Sequence, residues 1–267
     1  MTQRSIQQPK DVSKDAEGHY AAVNGLTMYY EIHGSGEPLL MLHGGMSSIG
    51  DFYRILPTLA TSRQIIAAEQ QGHGHTADID RPLSFEQMAD DTATLLQQVG
   101  ITQADVFGYS DGGMVALALA IRHPELLRTL AVSSAVYSMD GYTPEIKEGL
   151  PHITAEVLPA QMREAYEAVA PHPENWPKLV AKAAEHARSF SGMRPEALQA
   201  ITAPALVMVA EHDVVRIEHA EELAGLLHTE LVVLPDSDHV SYLLEHPDVL
   251  LAKLTAFLDN TSESLKK

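Results

Sequence analysis

The chain has 267 residues, a hydrophobic fraction of 45%, no cysteine, and a formal net charge of −18 from 18 Lys and Arg against 36 Asp and Glu. That length suits one α/β domain with a modest insertion, and the lack of cysteine excludes disulfides, thiol catalysis and cysteine-ligated metals. The acidic balance argues against nucleic acid, anionic membranes and polyanionic substrates as partners.

Residues 1–18 are polar, lack the apolar stretch of a secretory signal and read as a disordered lead-in. No apolar run approaches the roughly 18 residues needed to cross a bilayer, so a cytoplasmic protein is expected. Strand-like runs at 20–23 and 26–33 flank Asn24-Gly25, a strong hairpin signal. The run 38–42 reads as a buried strand ending at His43-Gly44-Gly45. A helix is expected over 52–60 and a strand over 64–68, followed by the loop Glu69-Gln70-Gln71-Gly72-His73-Gly74-His75-Thr76. The helix expected over 84–99 has Ser84 as its cap, Gln87 at the third position and Gly100 as its stop. A strand over 104–108, a helix over 112–123 stopped at His123-Pro124, and a strand over 130–135 come next.

From 137 to about 200 the strand–helix alternation stops. Two amphipathic helices are expected there. One follows Pro159 and carries Met162, Ala165, Tyr166 and Val169 on one face; the other follows Pro173 and carries Trp176, Leu179, Ala183, Ala187 and Phe190. Alternation resumes with a strand over 205–210, a helix over 218–227, a strand over 231–234 and a closing helix over 242–258. Such a pattern implies a mostly parallel sheet covered on both faces, with active groups at the carboxyl ends of its strands. The expected layout is a core of 19–136 and 201–260, a helical lid of 137–200 and a tail of 261–267.

The chemistry concentrates at Gly108-Tyr109-Ser110-Asp111-Gly112, a Gly-x-Ser-x-Gly pattern at a strand-to-helix junction. Glycines relieve crowding where the chain reverses, the turn exposes the serine hydroxyl, and the first N–H groups of the helix face the same space. A serine nucleophile also needs a base, an acid to orient it and donors for the oxyanion. His239, just past the last strand, is the candidate base. Asp213, after the apolar strand 205–210, is the candidate acid, with Asp140 as the alternative and Glu211 too close to its strand end. The candidate oxyanion donors are the backbone N–H groups of Gly45 and Asp111.

The order Ser110, Asp213, His239 and the motifs His43-Gly44-Gly45, Gly72-His73-Gly74-His75-Thr76, Gly108-Tyr109-Ser110-Asp111-Gly112-Gly113, Glu211-His212-Asp213 and Asp238-His239 resemble the α/β-hydrolase superfamily over residues 20–259. The resemblance implies an α/β-hydrolase fold: an eight-stranded, mostly parallel sheet flanked by helices, with a helical lid inserted after the sixth strand. It also implies a cofactor-free serine hydrolase. The chain departs from the family at two places. Glu69-Gln70-Gln71-Gly72 stands where the family has Asp-x-Arg-Gly, so an ion pair made by that arginine is absent. Asp111 stands where many relatives have an apolar residue. A carboxylate there opposes a forming oxyanion, so its side chain is expected to turn away from the site.

Two histidines in Gly72-His73-Gly74-His75 without a third ligand are weak grounds for a metal, and none is expected. Candidate pocket residues are His43, Met46, Tyr109, Met139, Tyr142, Met162 and Tyr166. Two of them have structural readings instead: His43 as a support of the oxyanion loop, and Tyr109 as packing around the serine turn. Helical spacing leaves the lid residues, Trp176 included, open to lining an acyl pocket or packing the lid on the core. The expected activity is hydrolysis of small carboxylic esters or lactones, by a monomer or homodimer. Carbon–carbon hydrolysis of vinylogous diketones uses the same residues. A ligand receptor with little turnover is the alternative of another class.

Overall fold

Asn24 (φ 47°) and Gly25 (φ 85°) take the positive-φ pair that a two-residue hairpin needs. They turn β1 (Gly18–Val23) back onto β2 (Leu26–His33), pairing Val23 with Leu26. This computed structural model describes residues 18–264, with side chains to 262. The lead-in expected at 1–18 therefore lies outside the described residues except for Gly18.

The other strands are β3 (Glu37–Leu42), β4 (Arg63–Ala68), β5 (Ala104–Tyr109), β6 (Leu127–Ser133), β7 (Ala205–His212) and β8 (Leu231–Asp238). They form one eight-stranded sheet in the order β1-β2-β4-β3-β5-β6-β7-β8. The pairs β1–β2 and β2–β4 are antiparallel and the rest parallel. Side chains alternate between its two faces. Leu40, Leu42, Val106, Val132 and Val207 join one core with residues of α2 (Phe85–Gln98), α3 (Asp111–Arg122) and α8 (Ile217–Leu226). Leu39, Met41, Phe107, Ala131 and Met208 join the other, with Leu250, Leu254 and Leu258 of α10 (Asp248–Ser264).

Between β6 and β7 the described elements are helical: α4 (Pro144–Gly149), α5 (Ala160–Val169), α6 (Trp176–Ser189), α7 (Pro195–Gln199) and intervening 3₁₀ turns. Helix α5 buries Tyr166, whereas α6 buries Trp176, Leu179, Val180, Ala184 and Ala187. Tyr166, Trp176, Leu179 and Val180 pack with Met46 and Met162 in a satellite cluster.

Several expected boundaries are corrected. Residues 52–60 do not form one helix: a 3₁₀ turn (Ile49–Phe52) is followed by the short α1 (Leu56–Leu59), with Pro57 in its first turn. Strand β6 starts at Leu127 rather than 130 and ends at Ser133 rather than 135. Its polar start is hidden from a hydrophobic reading because Arg128 and Thr129 pair with buried Asp105, at 2.6 and 2.8 Å. Strand β8 runs four residues past the expected 234, because after a register shift Asp238 pairs with His212. The closing helix is two: α9 (Ser241–Leu244), then α10 beyond Pro247, whose ring and missing N–H break the run. Helix α10 continues to Ser264, into the stretch expected to be a tail, and 265–267 lie outside the described residues.

Candidate active site

Ser110 sits between β5 and α3 at φ 53° and ψ −122°, a conformation costly for a residue with a side chain. Two contacts hold it there. Its N–H donates to the Ser133 carbonyl at 2.9 Å. The flanking glycines leave no room for a Cβ: one on Gly108 would lie 2.3 Å from the Gly112 carbonyl oxygen, and one on Gly112 would lie 2.0 Å from that of Leu42. The Gly-x-Ser-x-Gly spacing is thus the steric condition for pressing α3 against β5 and β3.

Ser110 Oγ lies 3.1 Å from His239 Nε2, and His239 Nδ1 lies 2.7 Å from Asp213 Oδ1. β7 and β8 end side by side and deliver Asp213 and His239 to the same sheet edge as β5. Asp213 Oδ1 also accepts the Val215 N–H at 3.1 Å; Oδ2 accepts the Ala210 N–H at 3.1 Å and the Ser134 hydroxyl. Burial pushes the Asp213 carboxyl up, but the His239 hydrogen bond and charge, with the Ser134 and Ala210 donors, hold it below its usual range. It is therefore an anion facing the imidazole Nδ1–H. The other acids lie elsewhere. Asp140 is solvent-exposed and paired with Lys147, and exposed Glu211 accepts the Asp236 N–H.

The N–H groups of Gly45 and Asp111 donate to no group among the described residues. Asp51, a residue that sequence reading missed, fixes the loop carrying Gly45. Its carboxylate accepts the Gly44 N–H at 3.0 Å and the Ser47 hydroxyl. Nothing in the motif pattern marks Asp51, which lies on a 3₁₀ turn. Ser134 and Tyr242 were missed likewise.

His43 is a support. Its Nδ1–H donates to Gly44 O at 2.8 Å and its Nε2 accepts the Gln70 N–H at 3.1 Å. Burial, with the neighbouring His73 charge, pushes its pKa down to about 3 against the pull of Gly44 O, so the ring stays neutral. Tyr109 is buried and donates its hydroxyl to the His239 carbonyl at 2.9 Å, while its ring edge would lie 3.0 Å from a Cβ on Gly44. It joins the loop carrying Gly44 to the loop carrying His239.

The Asp111 side chain does not turn away. A Cβ built on Gly45 would lie 2.2 Å from Asp111 Oδ2. The carboxylate therefore packs against the Gly45 backbone, half-buried and with no hydrogen-bond partner among the described residues. Burial pushes its pKa up to about 6, with His239 opposing the rise.

The other pocket candidates divide. Tyr142 is buried with its hydroxyl 3.8 Å from Met114 Sδ, and Met139 packs on the same core. Met46 (φ 56°), Met162 and Tyr166 share the satellite cluster with Trp176. No cluster of three or more metal-ligating side chains occurs among the described residues. In the departing loop, Gln71 takes Arg81 Nε at 2.7 Å and donates to Asp78 Oδ1 at 2.9 Å. Two lysines of α6 reach the same carboxylate, each at 2.7 Å: Lys178 at Oδ2 and Lys182 at Oδ1.

This strand order, with a tight serine turn at the carboxyl edge of a mostly parallel sheet, defines a hydrolase-type α/β architecture. The chain belongs to the alpha/beta hydrolase family, whose sequence model matches residues 39–253. It is 32% identical over 161 residues to the RutD hydrolase of Azorhizobium caulinodans, covering 59% of each chain. It is 37% identical over 121 residues to the 2-hydroxymuconate semialdehyde hydrolase of a Pseudomonas species, covering 44% of this chain and 41% of that one. The chain thus spans about half the length of these curated relatives. A solved structure of Est816, described as an N-acyl homoserine lactone degrading enzyme, superposes with a TM-score of 0.76 at 25% identity, covering 90% of this chain and 100% of that one. No helix among the described residues is long and apolar enough to cross a membrane.

Proposed function

We propose that the protein is a serine hydrolase of small carboxylic esters or lactones. The observation that carries this reading is the chain of contacts from Ser110 Oγ to His239 Nε2 (3.1 Å) and from His239 Nδ1 to Asp213 Oδ1 (2.7 Å), beside two N–H groups without acceptors. In the proposed reaction Ser110 Oγ attacks the carbonyl carbon as His239 takes its proton. Asp213 holds the imidazole tautomer and balances its cation. The Gly45 and Asp111 N–H groups receive the oxyanion. His239 returns the proton to the leaving alkoxide, then activates the water that releases the acid. No cofactor enters these steps. The helices between β6 and β7 act as the lid, and the cluster of Met46, Met162, Tyr166 and Trp176 shapes the acyl end of the pocket.

Likeness to Est816 supports a lactone or ester carbonyl. Carbon–carbon hydrolysis is the second reading, favoured by the 37% identity to 2-hydroxymuconate semialdehyde hydrolase. The Asp111 carboxylate beside Gly45 weighs against it, because a muconate-type substrate brings its own carboxylate to the site. A panel of p-nitrophenyl esters of graded chain length, N-acyl homoserine lactones and a 2-hydroxymuconate semialdehyde separates the two. Turnover of the esters or lactones alone supports the proposal. Preference for the semialdehyde overturns it, and a single slow event per molecule on every substrate points to a receptor.

A further inference from the structure

Three buried hydroxyls line up behind the candidate triad acid. Ser133 Oγ lies 2.7 Å from Tyr242 Oη, Tyr242 Oη lies 2.7 Å from Ser134 Oγ, and the Ser134 hydroxyl donates to Asp213 Oδ2. Ser133, Ser134 and Tyr242 are each at most 2% exposed. Ser134 sits at φ 53°, so the end of β6 adopts a left-handed turn that aims this side chain at Asp213.

The direction of every proton in this row is fixed by charge. Asp213 has no proton to give, so Ser134 must donate to it. Ser134 has then spent its only proton and must accept from Tyr242, which in turn must accept from Ser133. We propose that Ser133, Tyr242 and Ser134 form a one-way hydroxyl relay ending on Asp213, with Ser134 and Tyr242 as positioning residues of the triad. Each bond polarises the next, so the relay draws negative charge toward Oδ2 and away from the Oδ1 that faces His239. It also holds the carboxylate plane, because Oδ2 is pinned by Ser134 and the Ala210 N–H while Oδ1 takes His239 and the Val215 N–H. The same β6 end serves the nucleophile, since the Ser133 carbonyl accepts the Ser110 N–H. Sequence patterns do not mark it, because Ser133-Ser134 matches no catalytic motif and Tyr242 reads only as the start of the closing helix.

The inference rests on the proposed roles of Ser110, His239 and Asp213, and its test keeps the two apart. Steady-state hydrolysis of p-nitrophenyl butyrate is measured across pH for Ser134→Gly, Tyr242→Phe, the double variant and Ser110→Ala. Glycine suits the positive φ at 134, so Ser134→Gly removes the hydroxyl and relieves the backbone. Tyr242→Phe keeps the ring. Without its donor, Asp213 holds the imidazolium more tightly, so the acid limb of kcat/KM in Ser134→Gly moves up by about half a pH unit. Its kcat falls about 10- to 100-fold, and KM stays within about twofold. Tyr242→Phe moves both in the same direction by less. The double variant matches Ser134→Gly alone, because Tyr242 acts through Ser134. Asp51, Asp111, Asp238, Tyr109 and Tyr142, the other titratable groups acting on His239 or Asp213, are the same in all these variants. An unmoved acid limb in Ser134→Gly, or losses that multiply in the double variant, overturns the relay while an inactive Ser110→Ala leaves the triad standing. Full activity in Ser110→Ala overturns both.

Discussion

The carboxylate of Asp111 rests against the backbone of Gly45, so that a Cβ on Gly45 would come within 2.2 Å of Oδ2. The proposed oxyanion donors thus have an ionisable group between their parent residues, and burial raises its pKa to about 6. Above that pH the anion opposes an oxyanion; below it the neutral acid does not. Asp111→Asn is therefore expected to raise kcat/KM for a neutral ester about tenfold at pH 8, with the advantage shrinking below pH 6. Stability follows the same titration. The folded pKa is raised above the ordinary 3.8, so the folded chain binds more protons than the unfolded one between about pH 4 and 6, and stability declines as pH rises through that window. Thermal melts of Asp111→Asn should lack that decline. Equal pH 8 rates in the two proteins would show that the carboxylate does not act on the oxyanion.

Substituting Gly45 tests the same contact by sterics. Gly45→Ala must displace the Asp111 side chain or the oxyanion loop, and a lost donor costs about 10²–10³ in rate. Adding Asp111→Ala removes the obstructing carboxylate, so the double variant should recover at least about tenfold of the loss. A double variant no faster than Gly45→Ala would place the damage elsewhere.

The choice of acid is decided by two asparagines. Asp213→Asn should lose on the order of 10⁴ in kcat, because the amide no longer fixes the imidazole tautomer. Asp140→Asn, on an exposed residue paired with Lys147, should leave kcat unchanged. The reverse pattern in stopped-flow or steady-state assays would move the acid to Asp140.

Between the loop after β4 and helix α6, Asp78 joins Gln71 to Lys178 and Lys182, and Lys182 Nζ also reaches Ile79 O and Arg81 O, each at 2.8 Å. Burial raises the Asp78 carboxyl, but the two lysines and Gln71 pull it below its usual range, so its stabilising contribution is lost as pH falls below about 4. Asp78→Asn should cost about 1 kcal/mol, lowering Tm by about 2–4 °C at pH 7, with the difference narrowing in acid. A Tm difference that does not change between pH 7 and pH 3 would contradict this clasp.

How much of this was legible in the sequence depends on the range of the interaction. The nucleophile turn, Asp213 and His239 lie at strand ends that hydrophobic patterning locates well, so their order along the chain was enough to bring them together on paper. Boundaries failed where polar burial or proline intervenes: Arg128 and Thr129 start β6 by pairing with Asp105, and Pro247 splits the last helix. Ser134 and Tyr242 were invisible because each reaches the site through a contact across the fold, whereas Asp51 acts within its own loop, on Gly44 and Ser47, in a pattern that matches no motif. The Asp111 side chain, expected to turn away from the site, packs against Gly45 instead. Gly45, which lacks a Cβ, opens the space that this carboxylate fills. Gln71 showed a missing arginine, and only the folded loop shows Arg81 bound to its side chain.

The proposed mechanism turns on Ser110 as the nucleophile. Its most direct test is labelling with a fluorophosphonate followed by peptide mass spectrometry, alongside hydrolysis of p-nitrophenyl butyrate by the wild type and Ser110→Ala. A single adduct is expected on Ser110, appearing as activity disappears, with a Ser110→Ala protein that neither labels nor turns over above background. An adduct on another residue, or a Ser110→Ala protein that hydrolyses the ester at the wild-type rate, would contradict it.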